Sequence, residues 1–142
     1  MSHLRYVSIL GGVFAVLWIA LAIAPSHRSD WALENVLTLV GVVVLASSYR
    51  VFTLSRISYT LLFLFLCVHT IGAHYTYAEV PYDAWWSSLT GSTFNELVGW
   101  KRNNFDRVVH FLYGFLLAYP VRGYSCVSSR SAASGAISCH ST

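Results

Sequence analysis

Long apolar runs separated by short polar segments occupy the chain from its start to about residue 120. A helix that crosses a hydrocarbon core of about 30 Å needs roughly 20 mostly apolar residues. About four runs approach this length, and they predict spans at about 6–24, 33–49, 57–75 and 106–119. The pattern therefore predicts an all-α fold, a polytopic bundle of transmembrane helices in which residues 1–122 form the membrane domain.

Proline follows the first and the fourth of these runs. The first run carries no charge from Tyr6 to Ala24 and ends before Pro25, and the fourth ends before Pro120, because proline breaks a helix interior. The segment 22–24, Ala-Ile-Ala, resembles a signal-peptide cleavage site. The apolar run is longer than the roughly 7 to 15 residues of a signal-peptide core, so we predict a retained helix.

The composition excludes a soluble globular domain. Hydrophobic residues make up 56% of the chain and charged residues 11%, whereas soluble domains contain roughly 25% charged residues. The net charge of +3 is spread over several loops and forms no basic patch, so no nucleic-acid partner is predicted. The predicted partner is the lipid bilayer, and association with a second copy or with another membrane protein stays open.

The charge distribution predicts an orientation. The short loop 50–56 is basic, and all six acidic residues fall on the other side of the predicted membrane. Short basic loops favour the cytoplasmic side, so the N-terminus is predicted to be cytoplasmic. The loop from about 76 to 105 then faces outward, and Trp85, Trp86 and Trp100 predict that it lies along the headgroups.

Two acidic residues mark the predicted start of the second span. Asp30 is expected to cap this helix, because aspartate side chains accept hydrogen bonds from the first free N–H groups. Glu34 is expected in the first turn, where a carboxylate interacts favourably with the helix dipole.

Ionisable side chains gather at the adjoining ends of the third and fourth spans. They are His69, His74, Glu79, Asp106, Arg107 and His110. Antiparallel neighbours joined by a loop bring these ends to one membrane face. Ionisable groups inside a span cost about 2.5 to 3.5 kcal/mol at the helix centre and commonly mark a site or an ion path. We predict a polar cluster at the outer face that binds a small ligand, a lipid headgroup or a proton.

An integral membrane enzyme is the alternative function. The same cluster would then perform acid-base or metal-assisted hydrolysis, because imidazole and carboxylate groups also bind zinc. Asp106 and His110 lie four residues apart and share a helix face. The simpler interpretations are a helix-to-helix hydrogen bond for His69, a helix cap for Asp106 and a solvated loop charge for Glu79. The sequence contains no GxGxxG or P-loop motif, so no cofactor is predicted and no catalytic residue is assigned.

The last segment, residues 123–142, differs in composition from the rest of the chain. It is rich in serine, glycine and alanine and contains no acidic residue, which predicts a coil without a stable fold. Most serine codons and all tyrosine and cysteine codons begin with T, and codons with T in the middle encode only apolar residues. A one-base shift therefore permits an apolar segment here, and the polar tail is interpreted as the product of a frameshift.

Three long motifs resemble those of the YjdF-type bacterial inner membrane proteins. The motifs are D-W-A-L-E-N-V-L from Asp30, L-F-L-C-V-H-T-I-G-A-H-Y-T-Y-A-E-V-P-Y from Leu64 and N-N-F-D-R-V-V-H-F-L-Y-G-F-L-L-A-Y-P from Asn103. The resemblance implies a multi-pass protein of the inner membrane, in a family of uncharacterised function whose members continue with further helices. This chain departs from the pattern at Gly123, which implies a truncated or frameshifted product. The segment 106–115 also has a faint similarity to VanZ-like membrane proteins.

Overall fold

The structure is a computed structural model that describes residues 1–51 and 53–133, with side chains up to residue 122. All regular secondary structure in these ranges is helical, which confirms the predicted all-α fold. The helices are α1 (His3–Leu21), α2 (Arg28–Ser48), α3 (Arg56–His74), α4 (Tyr82–Thr90), α5 (Phe94–Val98) and α6 (Phe105–Ala133).

Three of the described helices are long and apolar enough to cross a membrane. They are α1 with 19 residues, α2 with 21 and α3 with 19. Most of their apolar side chains point away from the bundle, as expected where lipid replaces water as the solvent. The chain is therefore a polytopic membrane protein. The fourth predicted span lies in α6, which is not one of these three helices, and its role as a span stays a prediction.

The start of α2 corrects the predicted cap. The helix begins at Arg28, so Asp30 lies in its first turn and Glu34 lies one turn further in. The preceding chain is held by a hydrogen bond from the Ser26 N–H to the carbonyl of His74 at 3.0 Å. Because the turn is fixed to the end of α3 at this point, the helix starts before the acidic residues and Glu34 belongs to the span.

Helices α1 and α3 run parallel to each other. At one end the hydroxyl groups of Tyr6 and Thr60 are hydrogen-bonded at 2.6 Å. At the other end Nδ1 of His74 donates to the carbonyl of Leu21 at 2.7 Å. Helix α2 returns between these ends, so the described spans run up, down and up. The loops that precede α1 and α3 therefore lie at the same end of the bundle.

Helix α6 packs along α3. The rings of Phe65 and Tyr113 meet edge to face with centroids 5.3 Å apart. Val109 and Leu116, about one turn to either side of Tyr113, are buried. This contact aligns the beginning of α6 with the end of α3, which is the antiparallel arrangement expected for helices joined by a compact connection.

The end of α6 corrects the prediction that Pro120 ends the helix. The sequence predicted a last helical residue at Tyr119 and a coil from Gly123, whereas α6 continues through Pro120 to Ala133. Proline removes one N–H donor, but a helix beside other helices tolerates this loss because neighbouring groups satisfy the freed carbonyl. Residues 134–142 lie outside the described residues, and the frameshift stays a prediction.

The connection between α3 and α6 also differs from the predicted loop, because it contains α4 and α5. The phenol of Tyr82 donates to Oδ1 of Asn95 at 2.7 Å, and the Asp83 carboxylate accepts the N–H of Asn95 at 2.9 Å. The Tyr82 ring stacks on Phe105 at 6.2 Å. These contacts join the two short helices to the start of α6. They form a folded cap over this end of the bundle.

Candidate functional site

Glu34, His69 and Tyr77 meet at the capped end of the bundle. The Tyr77 hydroxyl lies 2.8 Å from Nδ1 of His69 and 3.3 Å from Oε2 of Glu34. Nε2 of His69 lies 3.5 Å from the main-chain carbonyl of Glu34. All three side chains are partly buried. We call this group the Glu34–Tyr77–His69 cluster; it joins α2, α3 and the turn after α3.

The turn after α3 carries the Tyr77 ring back towards the helix. Thr76 and Tyr77 have φ angles of 55° and 56°, in the left-handed region that side chains other than glycine rarely adopt. The Tyr77 N–H donates to the carbonyl of Gly72 at 2.7 Å, which closes the turn. A Cβ at Gly72 would collide with the Tyr77 ring. The missing side chain at Gly72 therefore makes room for the phenol to reach His69.

The hydrogen-bonding groups of the cluster have one proton too few in their ordinary neutral-pH forms. A carbonyl oxygen only accepts hydrogen bonds. Nε2 of His69 therefore carries a proton, which it donates to the main-chain carbonyl of Glu34. Burial raises the pKa of Tyr77, and the Glu34 carboxylate raises it further, so the phenol stays protonated. Its single proton serves either the carboxylate or Nδ1 of His69, not both.

One added proton satisfies every contact. When it sits on Nδ1, the imidazolium donates to the Tyr77 oxygen and the phenol donates to the Glu34 carboxylate. When it sits on Glu34, the carboxyl donates to the Tyr77 oxygen and the phenol donates to Nδ1 of His69. The two forms have the same number of protons and no net charge. They differ by a shift of two protons along one line.

A second polar group lies beside the cluster and fixes α1 to α2. Asn35, which is only 2% exposed, accepts the indole N–H of Trp18 at 2.6 Å. Its amide donates to the carbonyl of Trp31 at 2.7 Å. The rings of Trp18 and Trp31 lie 5.8 Å apart.

Of the six predicted site residues, His69 belongs to the Glu34–Tyr77–His69 cluster. His74 caps the end of α1 through the Leu21 carbonyl, and its ring packs on Tyr75 at 4.5 Å. Glu79 is exposed at the surface of the connection. His69 and His74 thus make contacts with different helices, as expected from their spacing of five residues on one straight helix.

The three predicted residues on α6 do not join the Glu34–Tyr77–His69 cluster. Arg107 and His110 are exposed. Nδ1 of His110 donates to the main-chain carbonyl of Asp106 at 2.7 Å, so the expected carboxylate-to-imidazole contact is replaced by a bond within the helix. Tyr113 contacts Phe65 on α3. The convergence of these groups on His74 stays a prediction.

The sequence also allowed the predicted polar cluster to bind a metal ion. Among the side chains that the structure describes, in residues 1–51 and 53–122, no three of histidine, cysteine, aspartate or glutamate are placed to hold one ion. Nδ1 of His74 donates to a main-chain carbonyl at the end of α1, and Nδ1 of His110 donates to a main-chain carbonyl of its own helix.

Glu34 and Tyr77 were not predicted as site residues. Glu34 was assigned to the first turn of its helix, and the longer α2 places it inside the span instead. An acidic residue within a spanning segment is itself a signal of function, and this signal was present in the sequence. Tyr77 gave no comparable signal, because its position depends on two left-handed residues and on Gly72.

The fold and the cluster define a class: a polytopic helical membrane protein with a partly buried carboxyl, phenol and imidazole line at one end. A family model described as "Predicted membrane protein (DUF2238)" matches residues 6–140. The chain belongs to this family of predicted membrane proteins. The matched range extends past Gly123, where the chain departs from the pattern of the YjdF-type proteins.

The chain is similar to the inner membrane protein YjdF of Escherichia coli (strain K12). The two are 30% identical over 100 residues, which cover 70% of this chain and 44% of YjdF. The aligned part is thus less than half of the relative's length. No solved structure matches the chain. The YjdF-type resemblance is confirmed, and the similarity to VanZ-like proteins stays a prediction.

Proposed function

We propose that this protein is a proton-binding component of the inner membrane, and that the Glu34–Tyr77–His69 cluster holds the proton. The observation that carries the proposal is the position of the Tyr77 hydroxyl between an imidazole nitrogen and a carboxylate oxygen, at 2.8 and 3.3 Å. A partly buried line of this kind takes up or releases one proton with little movement of heavy atoms. Proton-binding lines of Asp, Glu and His are found in membrane pumps and transporters.

The surroundings of the cluster support a site that exchanges a proton with one side of the membrane. Phe65 stacks on His69 at 5.8 Å and separates it from Tyr113 on α6. Among the described residues, no further titratable side chain makes a hydrogen bond or ring contact with Glu34, His69 or Tyr77. The line is therefore a closed unit of three groups next to the capped end of the bundle.

The test is whether the carboxyl and the imidazole titrate as one unit. In wild-type protein we expect the infrared signal of the Glu34 carboxyl and the NMR signal of the His69 ring to change together as the pH is varied. Tyr77→Phe removes the bridging hydroxyl, so the two signals should change at different pH values. Glu34→Gln should abolish the carboxyl signal.

Matched variants separate this result from general damage. Tyr75→Phe alters a neighbouring tyrosine that packs on His74 and Trp85, and Glu79→Gln removes an exposed glutamate. Both variants should titrate like the wild type. Identical titration of Tyr77→Phe and Tyr75→Phe would contradict a shared proton.

We further infer that the N-terminus is cytoplasmic and that the Glu34–Tyr77–His69 cluster lies at the outer face. The basic loop between α2 and α3 supports this orientation. In a background without native cysteines, an impermeant thiol reagent applied to intact spheroplasts should label Ser88→Cys and leave Val51→Cys unlabelled. Both positions are exposed. Labelling at position 51 alone would reverse the orientation.

A further inference from the structure

A long apolar groove separates α1 from α2 at the side of the bundle. Its volume is about 650 Å³, and α3 forms its floor. The lining side chains are almost all apolar and include Phe14, Val42, Leu45, Leu62 and Phe63. This volume lies within the roughly 300 to 1,000 Å³ of small-molecule sites. The groove faces the hydrocarbon, so its occupant is expected to be a flexible apolar chain.

The groove has a polar end. Tyr49, Arg50 and Tyr59 line it there, opposite the end of α2 that carries the Glu34–Tyr77–His69 cluster. Two more arginines, Arg5 and Arg56, stand at the adjacent helix starts. All six acidic residues lie at the other end or in the connection 79–106. The lining of the groove is apolar along most of its length and cationic at this end. This distribution complements a lipid with an acyl chain and an anionic headgroup.

The side chains at this end leave positive charge available. Arg56 is engaged, since its guanidinium donates to the carbonyl of Met1 at 2.7 Å and lies over the Tyr6 ring at 5.6 Å. Arg50 is exposed at the rim of the groove. Next to it, the His3 ring contacts Tyr49, and its Nε2 atom is buried without a hydrogen-bond partner in the part of the chain that the structure describes.

We propose that the α1–α2 groove binds one anionic phospholipid, with an acyl chain between the helices and the phosphate at Arg50. Basic pockets between transmembrane helices bind anionic headgroups, and each arginine near a surface contributes about 1 kcal/mol. The headgroup end of this site, at Arg50, lies at the opposite end of α2 from Glu34, so the proposal does not depend on the proton-binding proposal.

The test measures phospholipid binding to delipidated full-length protein in detergent by native mass spectrometry. Dioleoyl phosphatidylglycerol should bind about fivefold more tightly than dioleoyl phosphatidylcholine, which corresponds to one arginine contact. Arg50→Gln should remove this preference, whereas Arg102→Gln, in the connection at the other end, should retain it. Glycerol 3-phosphate should not compete, because it lacks the acyl chain.

Two neighbouring glycines provide the groove control. Gly11 lines the groove and Gly12 does not, and a Cβ at either position meets no atom within 4 Å. Gly11→Leu should therefore weaken binding of both phospholipids, and Gly12→Leu should not. Ala15→Leu, which also fills the groove, serves if Gly11→Leu fails to fold.

Three results of the phospholipid measurements would overturn the proposal. They are an absence of phosphatidylglycerol binding, equal effects of the two glycine variants, and a headgroup preference that survives Arg50→Gln. Competition by glycerol 3-phosphate, even with the lipid preference of the wild type retained, would also overturn the proposal. This compound has no acyl chain, so the site would then be a phosphate contact that does not need the groove. Each of these results leaves the test of the Glu34–Tyr77–His69 cluster unaffected.

Discussion

Gly72→Ala is expected to lower the free energy of unfolding by about 1 to 3 kcal/mol, the usual cost of overpacking a tightly packed site. The added Cβ collides with the Tyr77 ring, which has to leave its place beside His69 and Glu34. The loss should be measured by denaturation in mild detergent. The joint titration of Glu34 and His69 should disappear in the same variant.

The control for this variant has the opposite expected sign. Gly41 lies in the middle of α2, and a Cβ there meets no atom within 4 Å. Because alanine is favoured over glycine in helices by about 0.8 to 1.0 kcal/mol, Gly41→Ala should be neutral or stabilising. The double variant Gly72→Ala with Tyr77→Leu should lose less than the sum of the single losses, since the clash is removed with the ring. Additive losses would show that Gly72 matters for another reason.

Asn35→Ala is expected to cost about 1 to 3 kcal/mol, because the indole N–H of Trp18 loses its acceptor in a buried place. The carbonyl of Trp31 loses its donor in the same variant. The first loss loosens α1 from α2, whereas the second is confined to α2. Thermal denaturation in detergent, followed by tryptophan fluorescence, measures the loss.

The Trp18→Phe background isolates the Trp18 contact. In this background Asn35→Ala should cost less than in the wild type. The difference, which is the coupling energy between positions 18 and 35, should lie between about 0.6 kcal/mol, the average for hydrogen bonds between transmembrane helices, and about 1.7 kcal/mol, the maximum. Ser47→Ala is the matched polar control. The Ser47 hydroxyl donates only to carbonyls of its own helix and is exposed, so this change should stay within about 0.5 kcal/mol. Zero coupling between positions 18 and 35 would remove Asn35 as a link between the helices.

Local hydropathy was enough to predict the class of fold and the approximate positions of three long apolar helices. Lipid imposes one strong requirement, a run of apolar residues long enough to cross it, and such a run is readable without any knowledge of neighbours. The third span was predicted at 57–75 and is observed as α3, Arg56–His74. The apolar run ends there because polar residues follow it directly in the sequence, so the boundary is a local property.

Some helix ends depend on contacts with neighbouring helices, and these ends are known only from the tertiary structure. The start of α2 is set by a hydrogen bond from Ser26 to the end of α3, and α6 passes Pro120 while packed along α3. Neither contact is visible in the local sequence. The connection 76–105 likewise folds into α4 and α5 because Tyr82 and Asp83 find Asn95, twelve or thirteen residues further along the chain.

The candidate site was only partly predictable for the same reason. The sequence located ionisable residues at one end of the bundle, and His69 is the member that the structure joins to a partly buried polar line. Its partners come from a different helix and from a strained turn, so they follow from the packing of α2 on α3 and from the space at Gly72. Hydropathy is a sum over neighbouring residues and reports where a helix lies. Hydrogen bonds between helices depend on angles and distances, which are fixed only when the helices pack.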